Sequence, residues 1–293
     1  MNTKHLNITA YSTALFSTWI FIEDYDLLFD CGDGLSAGLL QKSRKIKNVF
    51  ISHADRDHLS GLLQFNQLNA RPGFPIIHYP IDSYSFKAME NFSEKFDPHV
   101  KGSLWKGIAD GDQIEIKPLT FVKAFRNEHV KIGQGIAKSL SFRLSEHKWK
   151  IKNEFKSLSS KEIAKIAHDK GKAFISEEQI DTILGYSGDS PVDDFEKWNN
   201  CKTLIHEATF INDDIKLKEK ANAHSTLKEV MQMVSELNIE RLILCHFSSR
   251  YNKKEIDHAI LKYCKSYHIK VPVFRILPGE INRDLLADDP INN

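Results

Sequence analysis

Residues 49–58 read VFISHADRDH, an apolar run that ends abruptly in a cluster of ionisable side chains. Four candidate metal ligands lie within six residues, namely His53, Asp55, Asp57 and His58. Imidazole nitrogens and carboxylate oxygens suit divalent transition metals, and a tight turn lets alternate residues face two neighbouring ions. The alternative interpretation is a solvated polar turn. A buried strand that stops at such a cluster is typical of the active-site edge of a layered α/β protein.

The flanking segments alternate between strand and helix patterns, which indicates an α/β fold. Thr226 and Glu229 have the spacing of a capping box, so the helix after Ser225 has a well-defined start. No Pro/Gly/Ser-rich linker divides the chain, and we expect a single domain over residues 1–293. The predicted strands are 6–11, 15–22, 25–29, 49–51, 76–79, 114–124, 139–144, 182–186, 203–206 and 241–244. The predicted helices are 35–41, 59–68, 83–96, 192–198, 225–237 and 254–267.

Composition limits the possible classes of protein. With 40 Lys plus Arg against 39 Asp plus Glu, the chain is not a globally basic nucleic-acid binder, so any polyanion must be met by a local patch. The four cysteines are far apart and form no CxxC pair, which argues against a disulfide framework or a thiolate zinc site. We find no targeting signal and no apolar run of about 20 residues, and we expect a soluble protein of the reducing cytoplasm.

A lysine-rich insertion at about residues 148–178 is the one strong shift in composition. Between Lys148 and Lys172 it carries eight lysines against Glu154, Glu162 and Asp169. One interpretation is a solvated charged face. The other is an arm that contacts RNA, in which case affinity should fall steeply with salt.

The string HADRDH resembles the HxHxDH motif of the metallo-β-lactamase superfamily, with Asp55 in the place of the second histidine. Three further residues have counterparts in that superfamily. His129 matches the histidine of the third motif, Asp189 in YSGDS matches the aspartate that bridges two metals, and His246 matches the last histidine. The resemblance implies the metallo-β-lactamase fold, a four-layer αββα sandwich, and an enzyme that is a metal-dependent hydrolase.

Two further strings narrow the resemblance to ribonuclease Z. Residues 206–210 with 224–226 look like that family's HEAT and HST pair, and residues 246–251 look like its HFSSRY ending. The resemblance implies an endonuclease that uses metal-activated water to cleave the 3′ trailer from precursor tRNA, usually as a homodimer. Two alternatives stay open: another phosphodiesterase or ester or lactone hydrolase of this fold acting on a small substrate, and a non-catalytic RNA or protein binding module.

The resemblance also assigns roles to individual residues. His53, Asp55, His129 and Asp189 would hold one metal, and Asp57, His58, Asp189 and His246 the other. The family's metal is Zn²⁺, but Asp55 makes the first site harder and more negative, which favours manganese or iron, or magnesium, relative to zinc. The insertion also departs from the family's arm, because it is short and contains no proline.

Residues around the metal ligands have expected roles in catalysis and binding. Asp57 would orient or deprotonate the attacking water, while Glu207 and His224 would supply a proton to the departing oxygen. For His224 a helix-capping or surface histidine is the alternative. Ser248, Ser249 and Arg250 would grip a phosphate, although Arg250 could instead pair with a carboxylate. Asp30 would orient a ligand histidine, unless it is a simple turn aspartate.

Overall fold

A computed structural model of the chain describes residues 5–133, 135–212 and 223–293. Its first sheet has six strands in sequential order, antiparallel from β1 to β3 and parallel from β3 to β6. In β2, Ile20 and Ile22 face the interior between the sheets, whereas Trp19 and Phe21 face the outer helices, as strand alternation requires. The strands are β1 (Ile8–Thr13), β2 (Ser17–Ile22), β3 (Leu27–Phe29), β4 (Asn48–Phe50), β5 (Ile76–Pro80) and β6 (Leu104–Ile108).

The second sheet has seven strands, and its order along the sheet also follows the chain. The strands from β7 to β10 pair antiparallel, and those from β10 to β13 pair parallel. The strands are β7 (Gln113–Lys117), β8 (Thr120–Arg126), β9 (Leu140–Ile151), β10 (Ser176–Tyr186), β11 (Thr203–Glu207), β12 (Arg241–Cys245) and β13 (Val273–Arg275).

The two sheets pack face to face and carry helices on their outer faces. Phe29 of the first sheet stacks on Phe142 of the second, with ring centroids 5.7 Å apart. The predicted αββα sandwich is confirmed, with α1 to α4 outside the first sheet and α7 and α8 outside the second. The helices are α1 (Leu35–Leu39), α2 (Arg56–Leu59), α3 (Leu62–Asn69), α4 (Tyr84–Phe96), α5 (Ser160–Lys170), α6 (Lys172–Ile175), α7 (Leu227–Glu236) and α8 (Lys253–Ser266).

Several local predictions were wrong. The predicted helix 192–198 is only a 3₁₀ turn at Phe195–Trp198, because Asp194 has a φ of 22°, outside the helical region. The predicted strand 114–124 is two strands, β7 and β8, joined by a turn. The lysine-rich insertion contains more structure than expected: β9 and β10 run on past the sandwich as a two-stranded ribbon, capped by α5 and α6.

One edge of the sandwich collects the ends of the parallel strands. The capping box of Thr226 and Glu229 is confirmed at the start of α7, which begins just beyond this edge. Among the helices of the described residues, none reaches the length and hydropathy needed to span a bilayer.

Candidate metal centre

Most of the ionisable residues singled out by the sequence meet at this edge, because they lie at or just after the carboxyl end of a strand. Asp30 follows β3, the segment His53–His58 follows β4, Asp189 follows β10, and His246 follows β12. Glu207 is the last residue of β11. Neighbouring parallel strands end at the same edge of a sheet, so residues far apart in the chain become neighbours here.

Sharp turns at the strand ends bring these residues inward. Asp30 and His246 both adopt the left-handed conformation, with φ of 55° and 61°. Gly188 has a φ of 57°, and a Cβ there would lie 2.8 Å from the Cβ of Ser52, so only glycine fits beside the ligand turn. The backbone around the site is therefore closely constrained.

The first group of ligands consists of His53, Asp55 and His129, whose ligand atoms lie within 4.8 Å of one another. The Asp55 Oδ2 atom is 3.6 Å from the Nε2 atoms of both His53 and His129. The Asp55 side chain is 62% exposed, whereas both histidines are nearly buried. The two imidazoles hold the pKa of Asp55 far below its usual range.

The second group consists of Asp57, His58 and His246, whose ligand atoms also lie within 4.8 Å of one another. Asp189 lies between the two groups. Its Oδ2 atom is 3.8 Å from His53 Nε2 and 3.4 Å from His58 Nε2, and its Oδ1 atom is 3.3 Å from His246 Nε2. Ligands bound tetrahedrally to one ion at about 2.1 Å are separated by about 3.4 Å, so these spacings fit a metal better than direct hydrogen bonds.

All four ligand histidines direct Nδ1 away from the centre. Hydroxyls accept from two of them, Ser52 Oγ from His53 at 2.9 Å and Thr209 Oγ1 from His246 at 2.9 Å. Asp30 accepts from His58 Nδ1 at 2.8 Å, and the Ala223 carbonyl accepts from His129 Nδ1 at 3.1 Å. Each Nε2 therefore presents a lone pair to the centre.

Within the part of the chain that the structure describes, the Nε2 atoms of His53 and His58 are buried and have no hydrogen-bond partner. Buried polar atoms are normally hydrogen-bonded, so two unpaired imidazole nitrogens in one cluster are suited to binding a cation. With the carboxylates of Asp57 and Asp189 beside them, they fit a divalent cation.

Asp30 is the buried hub of the surrounding hydrogen bonds. Its carboxylate accepts from Ser52 N at 2.7 Å, from Ser52 Oγ at 2.9 Å, from His58 Nδ1 at 2.8 Å and from the Tyr186 hydroxyl. Sequence reasoning anticipated Asp30 but missed Ser52 and Tyr186. Nothing in a single sequence indicates a contact between residues 30 and 186.

Asn127 is a third residue that the sequence did not reveal. Its side chain accepts from the backbone N–H of His129 at 3.2 Å and donates to the Ser187 carbonyl at 3.1 Å. It thereby joins the loop that carries His129 to the loop that carries Asp189.

Glu207 and His224 form a pair beside the second ligand group. The Glu207 Oε1 atom accepts from His224 Nδ1 at 3.0 Å and from Ser190 N at 3.0 Å. Its Oε2 atom accepts from Thr209 N and from Thr209 Oγ1 at 2.7 Å. Thr209, the fourth residue of the HEAT string, thus links Glu207 to His246.

The electrostatics of this pair favour a charged state at neutral pH. Burial alone would raise the pKa of Glu207, but His224 lowers it. Burial alone would lower the pKa of His224, but Glu207 and Asp189 raise it to about 9. The buried Glu207 carboxylate therefore favours the protonated form of His224, whose ring also lies close to Asp189.

A cavity of about 210 Å³ opens onto the centre. Its lining includes Asp57, Asp189, His224, Ser248 and Arg250, whereas Ser249 lies outside it. Arg250 Nε donates to Ser248 Oγ at 2.9 Å. We call the cavity of about 210 Å³ the metal cavity. A larger cavity of about 390 Å³ lies at the opposite ends of β11 and β12, beside Thr203 and Arg241.

Comparison with solved structures defines the class of protein. The metallo-β-lactamase fold protein YhfI of Bacillus subtilis superposes with a TM-score of 0.60 at 16% identity, over 94% of this chain and 99% of that one. Human tRNase Z, short form, superposes with a TM-score of 0.59 at 20% identity, over 84% of this chain and 94% of that one. These superpositions show that the chain has the metallo-β-lactamase fold.

Sequence relatives give the family. The chain is 30% identical over 256 residues to ribonuclease Z of Picrophilus torridus, with 77% of each chain covered. It is 28% identical over 300 residues to ribonuclease Z of Methanocaldococcus jannaschii, with 89% of each chain covered. The chain belongs to the ribonuclease Z family. No protein-family model matches the sequence.

Proposed function

We propose that the chain is a metal-dependent endoribonuclease that removes the 3′ trailer from precursor tRNA. Family membership supports the substrate, since relatives named ribonuclease Z and tRNase Z match over most of the chain. The observation that carries the reaction type is the convergence of two ligand groups on Asp189. Such an arrangement is typical of enzymes that cleave phosphodiesters with a pair of cations.

In this proposal His53, Asp55, His129 and Asp189 hold one divalent ion, and Asp57, His58, Asp189 and His246 hold the other. The bound ions would supply a nucleophile from water near neutral pH and would neutralise charge on the phosphodiester. Asp30, Ser52 and Thr209 fix the imidazole tautomers through the Nδ1 contacts, which keeps each Nε2 available.

Asp57 and His224 would handle the protons. Burial alone would raise the pKa of Asp57, but His246 and His58 lower it, so the carboxylate is ionised and can accept a proton. His224, held protonated by Glu207, can donate one to the departing O3′ of the tRNA. The products are a 3′-hydroxyl on the tRNA and a 5′-phosphate on the trailer.

Ser248 and Arg250 line the metal cavity and would contact the scissile phosphate. Ser249 belongs to the same SSR string but does not line the cavity, so the structure gives less support to a phosphate contact at Ser249. The lysine-rich insertion would follow the RNA backbone farther from the centre.

Asp55 determines the metal that we propose for the first site. The family resemblance implies Zn²⁺, whereas a carboxylate in place of an imidazole adds oxygen and negative charge, which favours Mn²⁺ or Fe²⁺. We therefore expect two ions per chain with a first site that prefers the harder metal. Metal analysis of protein purified without chelator tests the number, and at most one ion per chain after loading would contradict it.

The direct test is incubation of the pure protein with precursor tRNA and with bis-p-nitrophenyl phosphate under Mn²⁺, Zn²⁺ or Mg²⁺. Cleavage of both substrates, with the RNA cut at the 3′ trailer, is expected. Activity on the small ester alone, unchanged when lysines of the insertion are removed, would favour a small-molecule hydrolase instead. RNA binding without turnover of either substrate would favour a binding module.

Three wider expectations belong to the same proposal. A homodimer is predicted by the family resemblance and is tested by light scattering.

A cytoplasmic location is supported by four free, buried cysteines, as expected in a reducing compartment. A single domain over residues 1–293 is supported by the core that both sheets share, and one cooperative unfolding transition would be the expected result.

A further inference from the structure

The turn between β1 and β2 holds a large apolar residue in a conformation that favours glycine. Phe16 N donates to the Thr13 carbonyl at 3.0 Å, which closes a four-residue turn over Thr13–Phe16. Leu15, the third residue of this turn, has a φ of 70°. That position of a turn is normally glycine or asparagine, because a Cβ is strained there.

This turn is tied directly to the metal centre. The Leu15 backbone N–H donates to Asp57 Oδ2 at 3.0 Å, and Ala14 N donates to the carbonyl of Phe247 at 3.2 Å. Asp57 and the neighbour of Phe247, His246, belong to the same proposed ligand group. The hydrogen bonds therefore fix the position of Leu15 relative to the reacting centre.

Two side chains of this turn, those of Leu15 and Phe16, are unusually exposed. Leu15 is 86% exposed and Phe16 is 62% exposed. Leu15 lines the metal cavity, and so do Phe210 and Arg250. Strain at Leu15 and exposure of both residues contribute nothing to folding, and an observed backbone outlier beside an active site is a reason to look for function.

We propose that Leu15, with Phe16 beside it, is a substrate-binding contact that positions the nucleobase next to the scissile phosphate. The proposal rests on the function proposed above. The charged groups of the metal cavity would meet the phosphate, and the apolar turn at its rim offers a surface to the face of the adjoining base. Contact with a base face tolerates any sequence, because every base has one.

The key variant is Leu15→Gly, which removes the side chain but retains the backbone N–H that Asp57 accepts from. Glycine adopts φ near 70° without strain, so we expect the melting temperature not to fall. For precursor tRNA we expect KM to rise about ten-fold with kcat little changed, since removal of one buried apolar side chain from an interface has about that effect. Leu15→Met, which restores an apolar side chain, should bring KM back to within about two-fold.

Leu119→Gly is the matched control. Leu119 is also exposed and left-handed, with a φ of 58°, but it lies in the turn between β7 and β8, at the outer edge of the second sheet. We expect the same change there to leave KM unaltered. An equal rise in KM for both variants would overturn the proposal, as would no rise for Leu15→Gly.

A substrate change tests the same interaction from the other side. Precursor tRNA with an abasic nucleotide next to the cleavage site should bind the unmodified protein about ten-fold more weakly. If Leu15 contacts that base, Leu15→Gly should weaken binding little further on the abasic RNA. Independent, multiplicative effects would contradict the contact.

A base-bearing small ester separates this proposal from the choice of substrate. Thymidine 5′-p-nitrophenyl phosphate carries one base beside a phosphodiester, and methyl p-nitrophenyl phosphate carries none. Leu15→Gly should lower the ratio of kcat/KM between them. If the protein cuts no RNA, the proposed function fails, but a lowered ratio still supports the contact and an unchanged ratio overturns it.

Discussion

The strand-end site and the lysine-rich insertion position their functional groups in opposite ways. At the strand ends Asp30, His53 and His58 are buried, and their polar atoms are bonded to named partners or directed at the centre. In the insertion the charged side chains are exposed, and even Trp149 is 56% exposed. A buried network fixes geometry to fractions of an ångström, whereas an exposed ribbon supplies charge without fixed geometry. Changes at the strand-end site should therefore abolish catalysis, whereas changes in the lysine-rich insertion should only weaken RNA binding.

The largest effect is expected at Asp189, which both ligand groups share. Asp189→Ala should lower turnover of precursor tRNA and of bis-p-nitrophenyl phosphate by about 1000-fold, because preorganised charge at the reacting centre is removed. Metal content, measured by mass spectrometry, should fall with it. Activity within ten-fold of the unmodified protein would show that Asp189 does not bridge the centre.

Removing His224, the proposed proton donor, should be the next most severe change. His224→Ala should lower kcat on precursor tRNA by about 100-fold, the lower end of what general acid catalysis contributes, while metal content stays constant. Glu207 holds the pKa of His224 at about 9, and the protonated form is lost as pH rises through that value. Glu207→Gln should therefore move the alkaline limb of the pH profile of kcat to lower pH. If the limb does not move, it reports the titration of another group.

Asp30→Asn should act on metal affinity rather than on chemistry. The neutral amide cannot orient His58 and Ser52 as the carboxylate does, so metal affinity should fall by about 10-fold to 100-fold. Competition with a chelator of known affinity measures this. Full activity at saturating metal is the expected accompaniment, and unchanged affinity would reduce Asp30 to a simple turn residue.

Neutralising the insertion should have a smaller effect, confined to long substrates. Replacement of Lys150 and Lys165 with alanine should weaken RNA binding several-fold and reduce the slope of log affinity against log salt by about 0.7 to 0.9 for each lysine that pairs with a phosphate. Turnover of bis-p-nitrophenyl phosphate should not change. An unchanged salt slope would indicate that this charge is only solvated.

The smallest effects should come from changes at the helix caps, where a cap beside the strand-end site can be compared with a matched cap elsewhere. Thr226 caps α7 beside His224, and Asn252 caps α8 with the same capping box. Either change to alanine should cost about 1 kcal/mol of stability, measured by denaturant unfolding. Only Thr226→Ala should also lower kcat, since its helix start positions His224. Equal kcat values for the two variants would show that the start of α7 does not position His224.

The same contrast explains how much the sequence could predict. Candidate ligands such as His53, Asp57 and His58 lie in one short string directly after a plain apolar run, so their position at a strand end could be predicted from the sequence. Ser52, Asn127 and Tyr186 support the ligands through contacts between distant segments, and no local pattern reveals these.

The insertion was interpreted by its charge, and its structure was missed. Its ribbon lacks a buried face, so alternation gives no strand signal there. Ser159 and Glu162 nevertheless form a capping box, and this S-x-x-E spacing would have indicated the start of α5 at Ser160. The helix predicted at 192–198 failed for the opposite reason, since its apolar spacing suited a helix that the backbone at Asp194 does not allow.

Asp30 connects the two ligand groups mechanically as well as chemically. It orients His58 of one group directly and His53 of the other through Ser52. An ion that binds either group would order this shared network, and the second ion would then meet a histidine already immobilised. Metal loading should accordingly be cooperative, with a sigmoidal titration instead of two independent steps.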